Sequence, residues 1–247
     1  MQILKKIKFV IQITAIAFVT ISDSLLVLFH TTFRPKKYNF KKHYHNWASR
    51  VLWICGIKIT VEGEENFKEG ETYVLASNHS SQFDIPILFK SISPELRIIY
   101  KKELERIPLF GYQLKKSTFI SIDRSDPRKS MQSMKDAIQF IKQHVNVLIF
   151  PEGTRSKDGS VQTFKRGAFM LASKSGKPII PITVIGSSEI MPKGSLYFRP
   201  RDVRVIIHPP VYYPESISKI EEEKLMEEIR DTIISGFDTD KKHLHSS

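Results

Sequence analysis

His79 and Asp84 stand five residues apart in the run Asn78-His79-Ser80-Ser81-Gln82-Phe83-Asp84-Ile85-Pro86. Neither a regular helix nor a strand puts that spacing on one face, so only a loop that folds back would bring the two together. An aspartate bonded to one imidazole nitrogen fixes the tautomer and leaves the other nitrogen as a base. The chain has no Gly-x-Ser-x-Gly elbow, and its single cysteine, Cys55, has no base nearby and reads as a packing residue. A base at His79 would therefore act directly on a substrate hydroxyl. On these two residues alone, a satisfied loop histidine beside an aspartate that N-caps the next helix is the simpler account, with Pro86 tolerated in the first turn.

Two further clusters are suited to an anion. Phe150-Pro151-Glu152-Gly153-Thr154-Arg155-Ser156 follows the most apolar predicted strand, at the kind of strand end where open α/β sheets place ligands. Gly153 lets a ligand approach the backbone, and Arg155 can grip a phosphate with two parallel hydrogen bonds; an ordinary Glu-Gly-Thr turn is the alternative. The other cluster runs from Lys101-Lys102-Glu103-Leu104 through Ile107-Pro108-Leu109-Phe110-Gly111 to Ile122-Asp123-Arg124. It would add cationic phosphate ligands, and taken singly it is a solvated basic turn. A phosphate loop and a His-Glu-x-x-His pair are absent, and one cysteine excludes a cysteine zinc cluster, so neither a metal nor a cofactor is expected.

The elements that must position these clusters alternate. Strands are expected at Ile57–Val61, Tyr73–Ser77, Arg97–Tyr100, Thr118–Ile122, Val145–Phe150 and Ile179–Ile185, with an edge strand at Val203–His208. Helices are expected at Asp84–Ser91, Ser130–Gln143, Arg166–Ser175 (stopped by Gly176) and Ser218–Phe237. The pattern predicts an α/β fold, a mostly parallel or mixed sheet flanked by helices, over residues 56–237, followed by a polar, disordered tail at 238–247.

Residues 1–55 read as a membrane attachment. Residues 1–60 hold ten Lys/Arg and one acid, a net +9 of the chain's +12. An apolar stretch from Phe9 to Phe29 would make a helix about 31 Å long, enough to cross a bilayer core. Asp23 inside it would cost about 2.5–3.5 kcal/mol there. Lys5, Lys8, Gln12 and Asp23 fall on one narrow helical stripe that a second helix would cover. That second helix is predicted from Phe40, Tyr44, Trp47, Val51 and Ile54, closed by Gly56, after a basic turn around Pro35. Aromatic residues mixed with Lys/Arg suit a membrane interface, and no nucleic-acid motif accompanies the charge. The expected location is one membrane leaflet, the cytoplasmic one, without a full crossing.

The clusters together resemble the glycerolipid acyltransferases. That family's Asn-His-x₄-Asp block stands at Asn78, His79 and Asp84; its Phe-Pro-Glu-Gly-Thr-Arg-Ser block at Phe150–Ser156; its Lys-x-Glu-Leu…Ile-Pro-x-Phe-Gly…Ile-Asp-Arg block between Lys101 and Arg124; and its apolar block with a proline at Ile179–Ile182. The resemblance spans about residues 35–210, and Ser121, where the family often has a larger residue, is a mild departure. It implies a glycerol-phosphate acyltransferase-like fold and transfer of an acyl chain from acyl-CoA or acyl carrier protein to the sn-2 hydroxyl of 1-acylglycerol-3-phosphate, a membrane lipid. It implies His79 as the base oriented by Asp84, and no covalent acyl-enzyme. Glu152, Gly153, Thr154, Arg155, Arg124 and Lys101 would bind the acceptor and its phosphate, and Pro181 and Ile182 would lie on the donor side. Glycerol-3-phosphate, a lysophospholipid or an acylated amino-acid lipid are alternative acceptors, and a non-catalytic membrane-binding protein is the alternative role.

Overall fold

The computed structural model describes residues 2–33, 39–123, 125–195, 197–214 and 217–244. Two helices lead, α1 (Gln2–Phe33) and α2 (Phe40–Cys55). The α/β order that follows is β1 (Ile59–Glu62), β2 (Val74–Ser77), α3 (Asp84–Ser91), β3 (Leu96–Lys101), α4 (Phe110–Lys116), β4 (Ile120–Ile122), α5 (Pro127–Lys142), β5 (Asn146–Ile149), α6 (Arg166–Ser175), β6 (Ile179–Ile185), α7 (Ser187–Ile190), β7 (Val203–Ile207) and α8 (Lys219–Leu244).

The strands form one sheet in the order β1-β7-β6-β2-β5-β3-β4. Every pairing is parallel except β6 with β7. β2 and β5 are buried at every position, as strands covered by helices on both faces must be. Alternation divides their side chains between two cores. Leu75, Leu148 and Ile180 point to the side closed by α2 and α3, with Val51, Leu52 and Leu88. Val74, Val147 and Ile179 point to the side closed by α5, α6 and α8, with Ile141, Phe169 and Ile233.

Four expectations change. Val203–Ile207 is not an edge strand but lies between β1 and β6, and its outward Arg204 is matched by Glu62 of β1 at 2.6 Å. Helix α2 does not come away with α1 at residue 55: Tyr44, Ala48, Val51, Leu52 and Cys55 are buried in the first core, so the helix belongs to the α/β unit. Burial pushes the Cys55 thiol up to about 12, which leaves it inert as the sequence suggests. The last helix continues past Phe237 to Leu244, in a segment with no glycine or proline to stop it, where a disordered tail was expected. Helix α4 falls inside the second cluster, in a stretch read only as a turn. Gly111 permits it, because a Cβ there would lie 2.2 Å from the Glu105 carbonyl oxygen.

The expected polar stripe on α1 meets α2 in part. Gln12 Nε2 donates to the Ile54 carbonyl at 2.8 Å, and Arg50 Nη2 donates to both Asp23 oxygens at 2.6 and 2.7 Å. Lys8 is exposed. The basic turn at Arg34, Pro35, Lys36 and Lys37 lies outside the described residues.

Candidate active site

Strands β6, β2, β5, β3 and β4 lie side by side and run the same way, so the loops leaving their C-terminal ends share one edge of the sheet. The His79 run leaves β2 and the Phe150–Ser156 run leaves its neighbour β5. The two are laced together. Glu152 Oε1 accepts from the His79 amide at 2.6 Å, and the Ser156 amide donates to the His79 carbonyl at 2.7 Å. Below them Asn78 is buried and extends the sheet with its side chain: Nδ2 donates to the Val184 carbonyl at 3.0 Å, and Oδ1 accepts from the Val184 amide at 2.8 Å.

The loop folds back as the His79–Asp84 reading requires. Asp84 Oδ2 lies 2.7 Å from His79 Nδ1 and also accepts from the Ser80 and Ser81 amides at 2.8 and 2.9 Å. Asp84 is fully buried and sits in the first turn of α3, where a negative charge meets the helix's positive end. It is not the N-cap; Phe83 holds that place without a side-chain bond, and the Asp84 carboxylate reaches back over the loop instead. Its Oδ1 is buried without a hydrogen-bond partner among the described residues. With Nδ1–H donating to Asp84, the neutral imidazole keeps its lone pair on Nε2. The ring stacks on Phe150, centroids 3.9 Å apart and 17° from parallel, and remains 19% exposed. Its tautomer, tilt and access are thus all set by neighbours.

Glu152 is buried and has both oxygens engaged, Oε2 accepting from the Gln162 amide at 3.0 Å. Burial pushes its carboxyl up to about 7 against the opposing pull of those two amides. It braces the His79 loop and presents no oxygen outward. Gly153 turns back at φ 71, where a side chain would meet Lys165 at 3.0 Å, so the Lys165 stem lies over this turn. No motif singles out Lys165 in the sequence. Arg155 is half-buried, and its guanidinium has no hydrogen bond or ion pair among the described residues. Its carbonyl and the exposed Thr154 hydroxyl both accept from Lys193 Nζ, at 2.7 and 3.1 Å.

Other expected site residues are dispersed. Lys101 ends β3, exposed and paired with Glu103 at 3.0 Å. Arg124 lies outside the described residues. Pro181 and Ile182 are buried within β6, in register with Ala76 and Ser77 of β2, and so offer a donor no surface; they support the site from beneath. A sequence run of apolar residues cannot separate lining from core. Among the described residues no group of three or more His, Cys, Asp or Glu is placed to hold a metal ion.

A family model described as Acyltransferase matches residues 58–185, just over half the chain and all of β1 through β6. The chain belongs to the acyltransferase family. This acyltransferase is 31% identical over 216 residues to the 1-acyl-sn-glycerol-3-phosphate acyltransferase of Pseudomonas aeruginosa, covering 85% of this chain and 82% of that one. It is 36% identical over 179 residues to the chloroplastic 1-acyl-sn-glycerol-3-phosphate acyltransferase BAT2 of Brassica napus, covering 70% of this chain. The chain spans about half the length of the two chloroplastic relatives from Brassica napus and Arabidopsis thaliana. The crystal structure of the 1-acyl-sn-glycerophosphate (LPA) acyltransferase PlsC from Thermotoga maritima superposes with a TM-score of 0.79 at 27% identity, over 96% of this acyltransferase and 97% of that chain.

Proposed function

We propose that the protein transfers an acyl chain from an acyl thioester, acyl-CoA or acyl carrier protein, to the sn-2 hydroxyl of 1-acylglycerol-3-phosphate, forming phosphatidic acid. The observation that carries the reading is the buried Asp84 carboxylate on His79 Nδ1, which leaves Nε2 as a base facing the shared strand edge. His79 Nε2 takes the hydroxyl proton as the oxygen attacks the thioester carbon. The C–O bond forms, the C–S bond breaks, and the departing sulfur takes the proton back from the imidazolium. The acyl group passes directly between substrates, so the two proton transfers of one turnover share one histidine and no acyl-enzyme forms. Arg155, whose guanidinium on the turn after β5 is unengaged among the described residues, is suited to the acceptor phosphate, with Lys101 at the end of β3 and Arg124 as further cations and Thr154 beside Arg155. The names of the relatives support the acceptor, a bare phosphate monoester.

The substrate would reach this edge from a membrane held by α1. Residues Lys6–Phe33 are the one described segment long and apolar enough to cross a bilayer, and only 17% of its apolar window is buried against the protein. Within it Gln12 and Asp23 face α2, Lys6 and Lys8 are exposed near its start, and Ile11, Phe18, Leu26 and Phe33 are exposed, as is Trp53 on α2. A helix apolar on the outside and packed along its polar stripe suits attachment to one leaflet, the cytoplasmic one in this reading. Incubating the purified protein with radiolabelled acyl-CoA and a panel of glycerol-3-phosphate, lysophosphatidate and lysophospholipids tests the assignment. Label in phosphatidic acid is expected, and label confined to another acceptor's product, or none, would overturn it.

A further inference from the structure

The shared strand edge carries cations on both flanks of His79. Lys101 lies toward β3 and β4. On the opposite flank, beyond β6, a groove of about 540 Å³ opens beside the catalytic loop. Its floor includes Ser80, which follows His79 directly, and Ser156, whose amide holds the His79 carbonyl. Its basic side chains are Lys157, Lys193, Arg199 and Arg201.

Two acids share the groove, and both are engaged. Asp158 accepts from the Ser160 and Ser156 hydroxyls at 2.7 and 2.8 Å, which hold it down at about 2, and Glu189 pairs with Arg201 at 3.0 Å. Lys193 is spent on Thr154 and the Arg155 carbonyl. Lys157 and the Arg199 guanidinium have no ion pair or hydrogen-bonded partner among the described residues. The walls are fixed: Ser80 and Ser187 share a hydroxyl hydrogen bond at 2.9 Å, and Ser188 Oγ would lie 2.9 Å from a Cβ on Gly159. The groove thus joins two uncommitted cations to a lining that includes Ser80, the residue after the base, and its charge suits a phosphate.

We propose that this groove holds the phosphate of the acyl donor's phosphopantetheine arm, with Arg199 and Lys157 as its ligands. The inference rests on the acyl-transfer reading above. A direct transfer needs both substrates at His79 together, and both carry phosphate. The Arg155 guanidinium can take the acceptor phosphate while Arg199 and Lys157 of the groove take the donor phosphate, with thioester and hydroxyl meeting at His79. The same phosphate is joined to a nucleotide phosphate in coenzyme A and to a serine in a carrier protein, and the groove recognises what the two share.

The test combines kinetics with binding. Donor and acceptor are varied separately in wild type, Arg199→Ala, Lys157→Ala and the double variant, with exposed Lys135→Ala on α5 as a control for lost surface charge. Removing each cation is expected to raise the donor KM about tenfold to a hundredfold while kcat and the acceptor KM stay near wild type. The effect should shrink as salt is raised. Running acyl-CoA and acyl carrier protein as parallel donors distinguishes the source; a rise with either supports the groove, and a rise with both shows that the shared phosphate is read. A rise in the acceptor KM alone would give the groove to the acceptor. Weaker binding to vesicles containing anionic lipid, with the donor KM unchanged, would give it to the membrane surface. Calorimetric titration of free coenzyme A needs no turnover. If wild type binds coenzyme A and the double variant does not, the groove stands even where no acyl transfer is found; if both bind alike, the proposal falls.

Discussion

At the scale of single residues, Asp84 carries the most consequence for its size. Three donors converge on its Oδ2, and its Oδ1 has no partner among the described residues. Asp84→Asn can keep the oxygen on those donors only by burying its NH₂ where nothing receives it. The charge that favours the imidazolium is lost as well. We expect kcat to fall by about 10²–10⁴, with about 1–3 kcal/mol of stability lost, read by turnover and urea unfolding on the same preparation. Unchanged turnover would remove Asp84 from the mechanism. Arg155→Ala is expected to raise the acceptor KM more than the donor KM, and Arg155→Lys to rescue little because a point charge lacks the planar fork. A rise in the donor KM alone would move Arg155 to the other substrate. Glu152 behaves differently because its carboxyl is raised from 4.5 to about 7 by burial. The folded state then holds a proton that the unfolded state has lost. Its stabilising contribution is present below the ordinary value and fades as pH climbs through about 7. Glu152→Gln has no such titration and loses one amide acceptor, so it is expected to be less stable by about 1–3 kcal/mol in mild acid. The gap to wild type should narrow from about pH 5 to about pH 8; a constant gap would show that Glu152 is ionised throughout.

At the scale of elements, the ion pair joining α1 to α2 makes a sharp prediction. Asp23 is 1% exposed and depends on Arg50. Arg50→Ala should cost about 1–3 kcal/mol, and the double variant with Asp23→Ala should be closer to wild type than the single one. Thermal unfolding of the three checks it, and a double variant worse than the single one would mean that the helices are joined by something else. The same region shows what can and cannot be read without coordinates. Helix α6 and strand β6 fall where Gly176 and the apolar run from Ile179 place them, because a stop and continuous burial leave local marks, whereas α3 begins at Asp84 without the cap expected of it. The polar stripe on α1 was legible through Gln12 and Asp23, since polar residues in an apolar helix must find partners. β7 read as an edge because Arg204 alternates with buried valines, and the cross-strand partner Glu62 is 142 residues away in sequence. Helix α4 was missed because Leu109 enters it at φ 61 and Gly111 packs on a backbone carbonyl, neither of which is a periodic signal. In the site, the spacing of His79 and Asp84 showed only that a folded-back loop could join them, and their role as base and orienting acid came from the resemblance. The stacking of Phe150, the Asn78 lock on Val184 and the Lys165 stem over Gly153 are contacts between distant segments, invisible to local pattern.

At the scale of the whole molecule, the sheet gathers the His79 loop and the turn after β5 on one edge, and α1 presents an apolar face. Because α2 is part of the core, removing residues 1–33 and removing residues 1–55 should differ. The shorter deletion is expected to leave a folded protein that no longer sediments with membranes. The longer one should unfold, since it empties the space filled by Tyr44, Val51 and Leu52. Circular dichroism and vesicle flotation separate the outcomes, and a stably folded product of the longer deletion would show that α2 is dispensable. Full-length protein should resist high salt, because apolar burial is not screened. The central claim, that His79 is the base for acyl transfer to lysophosphatidate, is tested most directly by the rate at which labelled phosphatidic acid forms from acyl-CoA with His79→Ala and wild type at saturating substrates. The account predicts a fall of about 10²–10⁴ in a variant that melts like wild type; wild-type turnover by His79→Ala would contradict it.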